Sequence, residues 1–164
     1  MISKLGMMQQ FGKYSPFQFL MITIVILCLS GCDKDDGGRL PLPPLDITID
    51  PNSTMYSEIN VVGGWMYLNE SDGVESPSRG VIVYRLSTDQ FMAFERTPPF
   101  KPDSCCNVAQ TICTALVVDY PYVIDTCTDC KYIILDGSAI SGPSSMPLSQ
   151  YVTEYYGDWL YIHD

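Results

Sequence analysis

The chain has 164 residues, nine Lys and Arg against 19 Asp and Glu, and a formal net charge of −10. All 19 acids lie at or after Asp33 and no basic patch interrupts them, so the body of the chain repels nucleic acid and anionic headgroups. There are seven cysteines and one histidine, His163, next to the C-terminus, so no Ser-His-Asp set is assembled convincingly.

Residues 1–16 hold Lys4 and Lys13 and no acid, and residues 17–30, FQFLMITIVILCLS, are almost wholly apolar. The run has the length of a signal-peptide core and is short for a membrane span. It ends in LSGC, and small residues before a cysteine resemble the lipobox of bacterial lipoproteins. That resemblance implies a signal peptide over residues 1–31, cleavage before Cys32 and diacylation of its sulfur. The product would be an outer-membrane lipoprotein of the bacterial cell envelope, held to the membrane by its lipid. Residues 32–44, CDKDDGGRLPLPP, are rich in acids, glycine and proline. They read as a tether, flexible first and stiffened at 41–44. The CDKDD start resembles acidic surface-export signals of some Gram-negative lipoproteins, which implies a position outside the cell.

The domain is expected over residues 45–164. LDITID places Leu45, Ile47 and Ile49 on one face of a strand. Residues 55–69, MYSEINVVGGWMYLN, are strand-like on both sides of Gly63 and Gly64, a pair that marks a bulge or bend. ESDGVESPSRG is a polar loop. GVIVYRL (80–86) and QFMAFER (90–96) read as a hairpin. ALVVDY and YVIDT read as short strands flanking Pro121. KYIIL and DGSAI form a tight hairpin around Asp136 and Gly137, and SQYVTEYY and DWLYIHD a last one. No segment keeps a helical period for three turns. The expected fold is all-β, a single domain of short antiparallel strands arranged as a sandwich or barrel.

Several of these segments, taken together, resemble the Rieske [2Fe–2S] domain. The hairpin GVIVYRLSTDQFMAFER runs into TPPFKPDSCC, YVIDTCTDCKYII follows, then GSAISGPSSMPL, and the chain closes on VTEYYGDWLYI. The family has a hairpin leading into a Cys-x-His loop, a later Cys-x-x-His loop, a strand, a G-x-x-x-x-G-P turn, a Pro-Leu and a terminal hairpin. The match covers about residues 80–162, and its most specific part is GSAISGPSSMPL at 137–148. The family's ligand positions fall on Pro98, Phe100, Cys127 and Cys130, so only Cys127 keeps the family's residue type. A Rieske centre needs two thiolates on one iron and two imidazoles on the other. The resemblance therefore implies the fold without the cluster, no metal and no cofactor.

Some Rieske domains carry a disulfide joining their two cluster loops. This implies a bridge here from Cys105 or Cys106 to Cys127 or Cys130, with the pairing open and Cys113 either paired with a neighbour or free. The family's own bridging position falls on Asp129. In an oxidising compartment five domain cysteines leave one thiol over. The alternative is an electron-transfer protein whose [2Fe–2S] or zinc site is built from Cys105, Cys106, Cys127 and Cys130. A third reading takes Cys127-x-x-Cys130 as a redox dithiol, although no helix N-terminus is expected there to activate it.

Asp119, Asp125, Asp129 and Asp136 lack the spacing of a calcium loop and are expected to be solvated. Most aromatics are expected in the core as cross-strand pairs; Tyr120, Tyr122 and Tyr156 flank turns and stay open. The function expected is a non-catalytic binding or structural accessory module with a protein partner in the envelope, not an enzyme.

Overall fold

Alternation decides the first strand. In the computed structural model, which describes residues 41–164, β1 (Asp46–Ile49) buries Ile47 and Ile49 and exposes Asp46 and Thr48. The leader, Cys32 and the acidic part of the tether lie outside the described residues. Residues 41–44 lie inside them and are not a free spacer, because Leu42 packs against the core beside Leu45.

The next expectation fails in its first half. Thr54–Ile59 is a 3-10 helix, not a strand. Asp50 to Ser53 closes a turn through Ser53 N–H to Asp50 C=O, 3.1 Å, and the chain keeps turning. Only Ile59 of the segment is buried, so one anchor replaces a strand face. The second half is β2 (Trp65–Leu68). Between them Gly63, at φ +85°, forms the expected bulge: Gly63 N–H donates to Arg85 C=O (2.8 Å) and Arg85 N–H donates to Gly64 C=O (2.9 Å). A side chain at Gly64 would run into the Glu58 carbonyl.

The expected hairpins form. β3 (Val81–Arg85) pairs with β4 (Phe91–Glu95), β5 (Val117–Asp119) with β6 (Tyr122–Ile124), and β6 with β7 (Lys131–Ile133). β7 pairs with β8 (Ala139–Ser141), and β9 (Gln150–Tyr156) with β10 (Trp159–His163). All pairings are antiparallel. They give a six-stranded sheet in the order β1-β10-β9-β4-β3-β2 and a four-stranded sheet in the order β5-β6-β7-β8.

β3 is buried along its whole length because it serves two cores. Val81 and Val83 enter a cluster with Ile47, Leu68, Phe91, Leu160 and Ile162. Members from both edge strands share that cluster, so the six-stranded sheet curls around it. Ile82 and Tyr84 point the other way, into a second cluster with Phe94, Leu116, Val123, Tyr132, Ile134 and Leu148, which joins the two sheets. Burying one such side chain stabilises the fold by about 1.5–3 kcal/mol. Tyr67 ties the sheets as well: its hydroxyl accepts Val118 N–H at 2.8 Å.

The G-x-x-x-x-G-P turn has a packing cause. A side chain on Gly137 (φ +73°) would strike the Phe94 ring, and one on Gly142 (φ +114°) would strike the Cys130 backbone. The aromatic expectation holds only in part. Tyr84, Phe91, Phe94, Tyr132 and Tyr151 are buried, but Trp159 and Tyr161 are exposed. They sit on the solvent face of the β9–β10 hairpin, with Tyr156 opposite Trp159.

Candidate functional site

The two loops that the resemblance singles out flank the paired strands β5 and β6. The first follows β4 and ends at β5; the second joins β6 to β7. Cys105 of the first is bonded to Cys127 of the second, across 22 residues of sequence. A second bridge, Cys106–Cys113, stays within the first loop. Cys130 is fully buried and free. Of the four candidate cysteines, then, Cys105 and Cys127 form the loop-to-loop bridge, Cys106 turns to Cys113, and Cys130 stands in the core as the thiol left over.

Each loop is held by charge in a dry place. Glu95, 2% exposed, ends β4. Its carboxylate accepts hydrogen bonds from Thr97 N–H (2.8 Å), Thr97 Oγ1 (2.7 Å), Arg79 N–H (3.1 Å), Ser78 Oγ (2.6 Å) and Tyr151 Oη (2.8 Å). Five donors converge on one acceptor-only group, so the buried charge is satisfied. Burial first, then Glu95, pushes the Tyr151 phenol well above its ordinary value. Arg79 clamps the rest of the first loop. Its Nη1 donates to the carbonyls of Pro102 (2.7 Å) and Thr114 (3.0 Å), and its Nη2 lies 3.3 Å from Asp103 Oδ1. Arg96 donates from Nε to Leu116 C=O at 3.1 Å and lies 3.8 Å over the Tyr67 ring. Its pKa is lowered, chiefly by burial.

The second loop turns on Asp125. It is buried, against the expectation of a solvated acid, because its carboxylate accepts Cys127 N–H (2.9 Å) and the Thr128 hydroxyl. Asp129 then takes a left-handed conformation at φ +59°. Asp119, Asp129 and Asp136 are exposed as expected. Behind the loop, the Tyr132 hydroxyl is buried without a hydrogen-bond partner at ordinary geometry, beside the Cys130 thiol, a weak acceptor. Burial, then Cys130 and Asp125, push its pKa above the ordinary tyrosine value.

The donor set does not fit a Rieske cluster. Pro98 is buried, Phe100 is half-buried against the second core, Cys127 is spent in a disulfide and Cys130 is one isolated thiol. Proline and phenylalanine side chains offer no ligand atom. The four sulfurs of the all-cysteine alternative are divided between two bridges and a core position. Cys127 and Cys130 are not bonded to each other, so the C-x-x-C pair is no redox couple in this state. Asp103, Cys106 and Cys113 bring one ligand atom each within 4.8 Å of one another. The two sulfurs are bonded together, and the Arg79 guanidinium already lies 3.6 Å from Cys106 Sγ.

Sequence reasoning overlooked Glu95 and Arg79. The signal was present: Glu95 is the lone charge of the otherwise apolar strand FMAFE and Arg79 the lone base of the acidic loop before β3, and a charge in a buried strand demands partners.

No family model matches the chain, and no curated protein matches it. Among solved structures, the chain is similar to one in a complex of reduced oxygenase and oxidized ferredoxin in carbazole 1,9a-dioxygenase. The identity is 16%, the match covers 73% of this chain and 92% of that chain, and the TM-score is 0.41. The class defined here, an all-β domain of two antiparallel sheets with disulfide-bridged loops, stands on the strand pairings and not on that similarity.

Proposed function

We propose that this chain is a lipid-anchored cell-envelope protein whose domain keeps a Rieske-like fold without an Fe–S cluster. It serves as a non-catalytic binding or structural accessory module. One observation carries the reading: the loops that would hold a cluster are instead joined by Cys105–Cys127, with buried Pro98 and half-buried Phe100 at ligand positions. The bridge does the mechanical work that metal–ligand bonds would do, and two disulfides suit an oxidising compartment. The LSGC sequence supports the anchor and CDKDD supports surface exposure. Fold by itself supplies no partner.

The test is one preparation with two readouts. The chain is purified without air from envelope membranes of the expressing bacterium. Its mass is expected to begin at a diacylated Cys32, with near-zero iron and zinc. Two irons or one zinc per chain would overturn the cluster-free reading, and an unmodified Cys32 would overturn the anchor. The second reading, a metal site built from cysteines, draws on the closeness of Asp103, Cys106 and Cys113. It requires reduction of Cys106–Cys113, so the assay is repeated after thiol reduction, where metal uptake would favour it.

A further inference from the structure

The six-stranded sheet has an open edge at β2. β2 is the last strand there and pairs only with β3. The bulge sets the phase of that ladder. Arg85 bonds Gly63 and Gly64, so Val83 faces Met66 and Val81 faces Leu68 in the hydrogen-bonded positions. The backbone N–H and C=O of Trp65 and Tyr67 therefore point outward, away from β3. Among the described residues nothing pairs with them. Sheet proteins protect such an edge with lysine, proline or a cover. The β5 edge has a cover, since Tyr67 takes its outward Val118 N–H. The sequence of β2, WMYL, has neither lysine nor proline.

A groove of about 790 Å³ follows this edge. Trp65, Tyr67 and Tyr120 line it together with Glu58, Gly64 and Asn69. Trp65 and Tyr67 lean toward the second core, whereas Gly64 abuts the Glu58 backbone carbonyl. A strand laid in the groove would thus meet the aromatic rings with one set of alternate side chains, and Glu58 also lines the groove.

We propose that the β2 edge docks an extended, basic peptide segment of a partner protein, which adds as a seventh strand. The unpaired backbone groups require an extended partner. The charge favours a basic one: among the described residues Glu58 is the only charged residue lining the groove, and the chain carries a net −10. A second copy would bring the same net acidic charge to the edge. The inference deepens the binding-module reading and rests on it. The two fail separately, since metal in the chain would leave the edge open and a silent edge would leave the chain metal-free.

The test uses the purified protein and an acetylated, amidated octapeptide of alternating Val and Lys. Calorimetry should show binding, and hydrogen exchange at the Trp65 and Tyr67 amides should slow at least tenfold at saturation. The alternating Val-Glu peptide should bind at least tenfold more weakly. An analogue N-methylated at every residue, which keeps the side chains and removes the N–H donors, should not bind. Glu58→Lys should weaken the Val-Lys peptide roughly two- to fivefold, the size of one exposed ion pair, with an unchanged Tm. Unslowed exchange at both amides overturns the proposal, as does equal binding of the N-methylated or acidic peptide. So does protection that rises with protein concentration alone as the chain sediments as a dimer, which would give the edge to a second copy.

Discussion

Glu95 shows what one residue carries. Every group around its carboxylate is a donor: two backbone N–H groups, two aliphatic hydroxyls and one phenol. Glu95→Gln keeps the shape but turns one acceptor into an NH2 that faces donors. The expected cost is about 2 kcal/mol or more, read as a lowered denaturant midpoint with unchanged slope. Tyr132 is the opposite case, a buried hydroxyl that binds little. Tyr132→Phe is expected to cost less than about 1 kcal/mol at neutral pH, because no satisfied bond is lost.

At the scale of elements, the two loops behave as one unit because Cys105–Cys127 joins them. Closing 22 residues removes freedom from the unfolded chain worth about 3 kcal/mol in the chain-entropy model. The Cys105→Ser, Cys127→Ser double variant should lose about that much by denaturant titration. Arg79 should still hold the first loop through Pro102 and Thr114, so the Cys106–Cys113 bridge should persist in peptide mapping. The short strand β8 is placed by the same logic of close approach: Gly142 fits against Cys130 only because it has no side chain.

At the scale of the whole molecule, the raised tyrosines set an alkaline limit. Tyr132 and Tyr151 hold their protons more tightly in the folded chain than at the unfolded value of 10.0. The stabilisation is therefore complete below pH 10.0 and is lost as pH rises from there toward the folded values. Stability measured from pH 8 to 12 should be flat and then fall, and Tyr132→Phe should make the fall shallower. An equally steep fall in the variant would remove Tyr132 from the account.

The sequence by itself determined most of the strands, because their signals are local. Period-two burial marks β1, Asp136 and Gly137 mark a turn, and the bulge glycines stand next to each other. It also determined that Pro98 and Phe100 offer no side-chain ligand atom, since that depends only on residue type. The segment 54–59 misled because Met55, Ser57 and Ile59 alternate, and only the missing partner strand shows that the alternation goes unused. Tertiary structure alone decided the cysteine pairing, the burial of Glu95 against Tyr151 56 residues away, and the open edge of β2. Each depends on which distant segments meet when the two sheets close on their shared core, and no local pattern records that meeting.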